Sequence, residues 1–476
     1  MVVPTTPTVY LDWPDRHLVG PDEQSPVPFH IGQNWAWDSD KRWVAMISGT
    51  QAGKTSWGPW WLKREIEREG AGDYIAATAT YDLFKLRQLP ALLKVFEELS
   101  GIGRYWGGDR VIEIRENAEP DGRFYAKTSK DPMWARIILR SADSEGGLEA
   151  ATAKAAWLDE AGQLRFGFQA WHAIRRRLAL HQGRALITTT LYALGWVKQT
   201  FLDPLEDTEP TEQIIDERGA EMALRENDDI ALIQFDSIAN PSYPMEEFEE
   251  AKKTMPKDEF FMFWKGLAAK LRSLIYDVYE PKVHDVEPFE IPHDWPRFVG
   301  IDPLGDKIAA VWLAFDPGKQ KLYLYREHQG DFGQTTEKHV GDILALGQGE
   351  YILAYAGGGP GERQPRVDWM GHGLDLQSPT EDPALKMSVW SQIMRVYATF
   401  ATKDLLIFNN CGNIKAELGS YQRYKDKTTG NLTDRILNKE MFHMLDALRG
   451  IVTWMTDPVE EREILYMPAT INPHIR

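Results

Sequence analysis

At 476 residues the chain is too long for one ordinary core, so two domains are expected, with three possible. Hydrophobic content of 43% beside 26% charged residues describes a soluble globular protein, and the absence of any run of about eighteen apolar residues argues against a membrane span. The net charge of −17 excludes a protein that coats nucleic acid by bulk electrostatics, although local basic surface or bound metal ions can still serve a DNA enzyme. A single cysteine, Cys411, excludes an intramolecular disulfide and a Cys-rich metal site. With no basic-then-apolar leader at Met1-Val2-Val3-Pro4, these features point to a reducing, intracellular compartment.

Residues 1–28 are Pro-rich and read as an extended N-terminal arm. Gln33 follows, about ten residues ahead of an apolar run, Val44 to Ile47, that predicts a short buried strand. A Gln in that place can read an adenine edge or sit in a surface loop. The strand leads into Ser48-Gly49-Thr50-Gln51-Ala52-Gly53-Lys54-Thr55, and Trp60, Trp61, Leu62 and Ile66 then recur at helical spacing. Strand, small-residue loop, Lys-Thr and helix is the context of a phosphate-binding loop, in which backbone N–H groups point at anionic oxygens. Ser48 stands where the pattern has its first glycine, and a plain strand–turn–helix is the alternative. On the phosphate reading, Lys54 reaches the terminal phosphates of ATP and the Thr55 hydroxyl ligates Mg²⁺.

A second strand is expected over Asp73 to Thr80, then a helix through Leu83, Leu86 and Leu89 that Pro90 breaks or kinks before Leu92, Leu93, Phe96 and Leu99 resume the spacing. The stretch from Val111 to Leu139 is β-like. Ala155 to Ala161 then reads as a buried strand closing in two carboxylates. Asp159 is expected to hold Mg²⁺ through water and Glu160 to polarise the water that attacks the γ-phosphate. Two acids capping the next helix are the bland alternative. Arg175, Arg176 and Arg177 lie on a helix, as a solvated face or a phosphate-facing one. Another strand, Ala185 to Thr190, closes in hydroxyls, with Thr189 assigned to the γ-phosphate side. An acid- and Pro-rich connection from Pro204 to Asn227 precedes Asn240-Pro241-Ser242-Tyr243-Pro244, a Glu/Lys-rich helix and the aromatic cluster Phe260, Phe261, Phe263 and Trp264.

A second chemistry begins after a linker near Gly266 to Ser273. An apolar strand ends at Asp302, and strands over Ile308 to Phe315 and Leu322 to Tyr325 follow. Three antiparallel strands with a carboxylate on the first is how a ribonuclease-H-like fold begins, and such a site needs carboxylates from separate elements around Mg²⁺ or Mn²⁺. A turn aspartate is the alternative. Near the C-terminus Asp446 falls on an amphipathic helix with His443 one turn earlier and Arg449 three residues on. There it is either a metal ligand or the partner of Arg449.

Taken in order, the segment Ser48 to Thr55, Gly146-Gly147-Leu148-Glu149-Ala150 ahead of Asp159-Glu160, Thr188 to Thr190, Asn240 to Pro244, Gly300-Ile301-Asp302 and Phe442 to Arg449 resemble a tailed-phage terminase large subunit over roughly residues 29 to 456. The resemblance implies an α/β protein. Its parts are a P-loop NTPase domain with a mostly parallel sheet (29–268, helical linker segment included), a ribonuclease-H-like α/β nuclease domain (273–457) and a C-terminal tail (458–476). It further implies ATP-driven translocation of double-stranded DNA into a procapsid and endonucleolytic cutting of concatemeric DNA. The implied partners are a portal protein, a small terminase subunit and further copies in a ring, in the host cytoplasm and with no membrane. Many relatives carry Arg where Thr50 or Glu149 stands, so Arg140 and Arg175 to Arg177 are the substitutes for an arginine finger. Glu362 is expected to be the second nuclease carboxylate, with Asp368 next. A repair helicase–nuclease, or a docking subunit with a silent nuclease domain, are the competing readings.

Overall fold

The computed structural model describes residues 17–19, 26–125, 133–142, 152–304, 308–331, 333–358, 362–380, 388–426, 428–429 and 431–456. The chain divides into two compact units, Met1–Leu271 and Arg272–Arg476. Of the expected N-terminal arm, His17–Val19 and Pro26–Pro28 pair as a short antiparallel ribbon, and its other residues lie outside the described ones, as does the tail from 457 on.

The first unit is a mixed α/β structure around a ten-stranded sheet. Its strands are β1 (Trp43–Ser48), β2 (Gly72–Thr78), β3 (Gly103–Trp106), β4 (Val111–Ile114), β5 (Ala135–Ser141), β6 (Ala155–Asp159), β7 (Arg184–Thr189), β8 (Glu212–Ile215), β9 (Glu221–Glu226) and β10 (Ile230–Phe235). The order is β8-β9-β10-β1-β7-β6-β2-β5-β4-β3. The six from β10 to β5 run parallel, and antiparallel strands extend both edges. β1, β6, β7 and β10 are buried throughout, as parallel strands covered on both faces must be. Helices α1 (Ile31–Asp38), α2 (Lys54–Glu69), α3 (Phe168–Ala179), α4 (Met245–Thr254) and α5 (Lys257–Phe263) accompany the sheet. α2 buries Trp57, Trp61, Leu62 and Ile66 and crosses β6 where Gly58 has no side chain; a Cβ there would lie 2.1 Å from the Trp157 ring.

Two expectations are corrected. The connection from Pro204 to Asn227 contains the hairpin β8–β9, in which β9 shows the period-2 signal of a strand buried on one face (Met222 and Leu224 buried between more exposed neighbours). Pro90 does not break its helix. It sits in the first turn of Leu89–Leu93, and the flanking segments Phe84–Gln88 and Lys94–Leu99 widen to i→i+5 bonding. The wider turn accommodates a residue with no N–H and a ring that crowds the preceding carbonyl.

The second unit holds a seven-stranded sheet: β11 (Asp285–Val286), β12 (Arg297–Asp302), β13 (Ala309–Asp316), β14 (Lys321–Gln329), β15 (Ile352–Gly357), β16 (Leu376–Gln377) and β17 (Leu405–Phe408), in the order β11-β17-β14-β13-β12-β15-β16. β12, β13 and β14 form the expected antiparallel meander, and β15 pairs parallel to β12 on its other side. Helices α6 (Arg363–Gly371), α7 (Val389–Ala401), α8 (Gly412–Leu418) and α9 (His443–Thr456) complete what positions the site. α9, nearly all buried, packs on β12, β13 and β15. It comes closest at Gly300, where a Cβ would lie 2.3 Å from the Ala447 carbonyl. Only glycine lets the helix carrying Asp446 lie so near the strand carrying Asp302.

Candidate functional site

In the first unit, parallel register sets the chemistry at the carboxyl ends of the strands, where open α/β sheets bind ligands. Ile47 pairs with Thr189, and Asp159 with Thr188 and Thr78. The loop after β1 turns through left-handed residues at Gln51 (φ 56°) and Gly53 (φ 86°) before Lys54 starts α2. The buried Lys54 ammonium donates to Gly49 O (2.7 Å), Ser48 Oγ (3.0 Å), Ser48 O (3.3 Å) and Thr190 Oγ1 (3.1 Å). Burial brings its pKa down to about 8, against the pull of Glu160 and Asp159. The Thr55 hydroxyl donates to Asp159 Oδ2 (2.9 Å) and the Thr188 hydroxyl to Oδ1 (2.7 Å). Burial, and the neighbouring Glu160, push the Asp159 carboxyl up. A hydroxyl and a carboxylate meeting at the foot of the loop are the donor set that suits Mg²⁺.

The outer side of the loop is fastened to the segment after β10. Gly49 N–H donates to Phe235 O (3.0 Å), Thr50 N–H to Phe263 O (2.7 Å) and Asn240 Nδ2 to Gln51 O (2.8 Å). A side chain at Gly49 is impossible here, since its Cβ would lie 2.1 Å from Trp264 O. On the other side His30 Nε2 lies 3.4 Å from Ala52 O, and burial holds His30 neutral, near 4. Gln33 is buried with its Oε1 accepting His30 N–H (3.2 Å), and its amide nitrogen packs against Gly53. It is therefore beside the loop rather than on a surface turn.

Glu160 follows Asp159 in a left-handed conformation (φ 55°) and is 6% exposed. Arg87 Nη1 lies 3.8 Å from its Oε1, and the Tyr192 hydroxyl is hydrogen-bonded to the same carboxylate. Thr189 is turned away from the loop; its hydroxyl accepts from Gly162 N–H (2.8 Å) and donates to Thr190 O (2.8 Å). Its neighbours Thr188 and Thr190 reach Asp159 and Lys54 instead. Alternation along a strand, which puts 188 and 190 on one face and 189 on the other, is the signal that finds them. Of the arginine substitutes, Arg175 and Arg140 do not stand by this loop. Arg175 stacks over Trp43 and Trp171 at the start of β1, the far end of the strand, and Arg140 lies on β5, two strands out from β6. Gly146 to Ala150 lie outside the described residues.

In the second unit Asp302 ends β12, and its Oδ2 is 2.8 Å from His443 Nδ1. Burial raises its pKa, opposed by His443 and aided by Asp446 and Glu362, so those two carboxylates each lie within electrostatic reach of Asp302. Asp446 Oδ1 accepts from Arg449 Nη1 (2.5 Å), its Oδ2 lies 3.6 Å from Lys439 Nζ, and Arg449 Nε donates to Gln392 of α7 (2.8 Å). Glu362 precedes α6, with Oε2 against Gly358 at the end of β15. Asp368 is exposed and hydrogen-bonded by Gln364 (2.8 Å). Sequence reasoning missed Glu417 of α8. This half-buried carboxylate accepts the N–H groups of Met444 (3.1 Å) and Leu445 (2.9 Å) and so caps the helix that presents His443 and Asp446. Among the described residues no group of three His, Cys, Asp or Glu stands close enough to hold a metal ion. As arranged, Asp446 faces Arg449 and Lys439 and Asp302 faces the His443 imidazole.

No family model and no curated protein matches the chain. Among solved structures it is similar to the large terminase of a thermophilic bacteriophage (14% identity over 90% of this chain and 100% of that one, TM-score 0.41). That phage protein has also been solved in complex with ADP and with ATP-γ-S. The chain is similar too to the large terminase ATPase domain of Thermus phage P74-26 (19% identity, 51% and 95%, TM-score 0.38) and to the P22 large terminase nuclease domain (19% identity, 38% and 91%, TM-score 0.31). No helix among the described residues is long and apolar enough to cross a membrane.

Proposed function

We propose that this protein is an ATP-driven motor that moves double-stranded DNA into a procapsid and carries an endonuclease for concatemeric DNA, the work of a terminase large subunit. The observation that carries the ATPase half is the 2.9 Å contact between the Thr55 hydroxyl and the Asp159 carboxylate, with Lys54 seated in the loop above. Thr55 and Asp159 would hold Mg²⁺, which neutralises charge on the β- and γ-phosphates. Ser48, Gly49, Thr50, Gln51, Ala52 and Gly53 would cradle phosphate through the loop backbone. Lys54 has three donors now spent on Ser48, Gly49 and Thr190 and would give them to phosphate oxygens. Glu160 would take the proton of the attacking water, and Gln33 would bear on the base.

In the second unit Asp302, Asp446 and Glu362 are the proposed nuclease carboxylates. Their present partners are His443, for Asp302, and Arg449 and Lys439, for Asp446. Those same ion pairs favour the second reading, a docking subunit whose nuclease domain is silent. The proposed partners are double-stranded DNA, a portal protein, a small terminase subunit and further copies in a ring, in the host cytoplasm. ATP turnover with and without linear duplex DNA tests the first half. DNA-stimulated hydrolysis that disappears in Lys54→Ala is expected, and a wild type that binds ATP without turning it over contradicts the motor.

A further inference from the structure

Arg87 had no role in the sequence reading. It lies on the wide turn Phe84–Gln88, and turns of that kind mark functional positions more often than chance. Two neighbours fix the turn at the sheet's carboxyl edge. The Thr80 hydroxyl caps the helical turn Tyr81–Leu83 that leads into it by accepting Leu83 N–H (3.3 Å), and the buried Gln88 donates Nε2 to Ala77 O on β2 (3.0 Å), one strand from Asp159. Arg87 is thereby delivered across the end of β2 to Glu160. Its side chain is 60% exposed, so the 3.8 Å ion pair adds little to stability. The carboxylate it faces is the unusual partner: almost buried, left-handed in backbone, with Oε1 toward Arg87 and Oε2 buried without a hydrogen-bond partner.

We propose that Arg87 is a positioning residue for Glu160, acting beside the Tyr192 hydroxyl to hold the carboxylate so that Oε2 stays aimed at the attacking water; this rests on the ATPase reading above. Water gives one proton to Glu160 Oε2 as its oxygen bonds the γ-phosphorus. The bond from that phosphorus to the β–γ bridging oxygen breaks, and ADP and phosphate form. Arg87 touches neither phosphate nor water in this account and acts through the carboxylate alone.

Steady-state ATP hydrolysis with duplex DNA tests it, comparing wild type, Arg87→Ala, Arg87→Lys, Glu160→Gln and the Arg87→Ala/Glu160→Gln double variant. Arg87→Ala is expected to lower kcat by about tenfold to a hundredfold, with KM for ATP within about threefold of wild type. Arg87→Lys should recover part of the loss, and in the Glu160→Gln background Arg87→Ala should change the residual rate no further. An unchanged kcat, a raised KM at unchanged kcat, or an equal further loss in the Glu160→Gln background overturns the role of Arg87 and leaves the ATPase reading standing. A wild type with no ATP turnover overturns both together.

Discussion

The two units hold their key aspartates in opposite ways. Asp159 is held by two hydroxyls, Thr55 and Thr188, which orient it without cancelling its charge. Asp446 is held by Arg449 and Lys439, which cancel its charge, and Asp302 by the His443 imidazole. A carboxylate fixed by neutral donors is ready for a divalent cation as it stands. One fixed by cations must first exchange them, at the cost of leaving Arg449, itself buried, with less charge compensation. On the proposed reading, the ATPase carboxylate would be preorganised for a cation, and the nuclease carboxylates would first have to give up their present partners.

The largest effect that can break this contrast is expected from Lys54→Ala, which should lower ATP turnover by about a hundredfold or more in a steady-state assay while leaving plasmid cleavage intact. Next, Gly300→Val should force α9 off β12, because even a Cβ would lie 2.3 Å from Ala447 O. Overpacking of that kind costs about 1–3 kcal/mol, to be read as a lower melting transition of the second unit with ATP turnover retained. Asn240→Ala should be milder. It removes the 2.8 Å bond to Gln51 O, worth about 1 kcal/mol, and a rise of a few-fold in KM for ATP would measure it.

A separate effect concerns pH. Burial raises Asp236, behind the loop, to about 7, against the opposing pull of Lys265. Its folded pKa lies above its unfolded value, so the folded state is favoured while the group is protonated. The first unit should thus lose stability as pH rises from about 4 through about 7. Asp236→Asn should flatten that slope in denaturant titrations at several pH values.

What was legible in the sequence was local. The strand–loop–helix around Lys54 and the strand ending in Asp159-Glu160 follow from hydrophobic period and turn chemistry within about fifteen residues, and the meander leading from Asp302 follows the same way. What was not legible depends on which strand lies beside which. Thr188 meets Asp159 only because β7 is inserted between β1 and β6, and Arg87 meets Glu160 only because the turn after β2 bends over the sheet edge. Arg175 drew notice as part of a run of three arginines, yet its partners are Trp43 and Trp171. The hairpin β8–β9 hid behind acidic and proline residues because a strand covered on one face, such as β9, buries only every second side chain.

The most direct test of two separate sites is cleavage of supercoiled plasmid with Mg²⁺ or Mn²⁺, run beside ATP turnover for wild type, Asp302→Ala and Glu160→Gln. Cleavage lost only in Asp302→Ala, with ATP turnover lost only in Glu160→Gln, is the predicted result. A wild type that hydrolyses ATP but cuts DNA with neither metal would contradict the nuclease assignment and leave the second unit a docking domain.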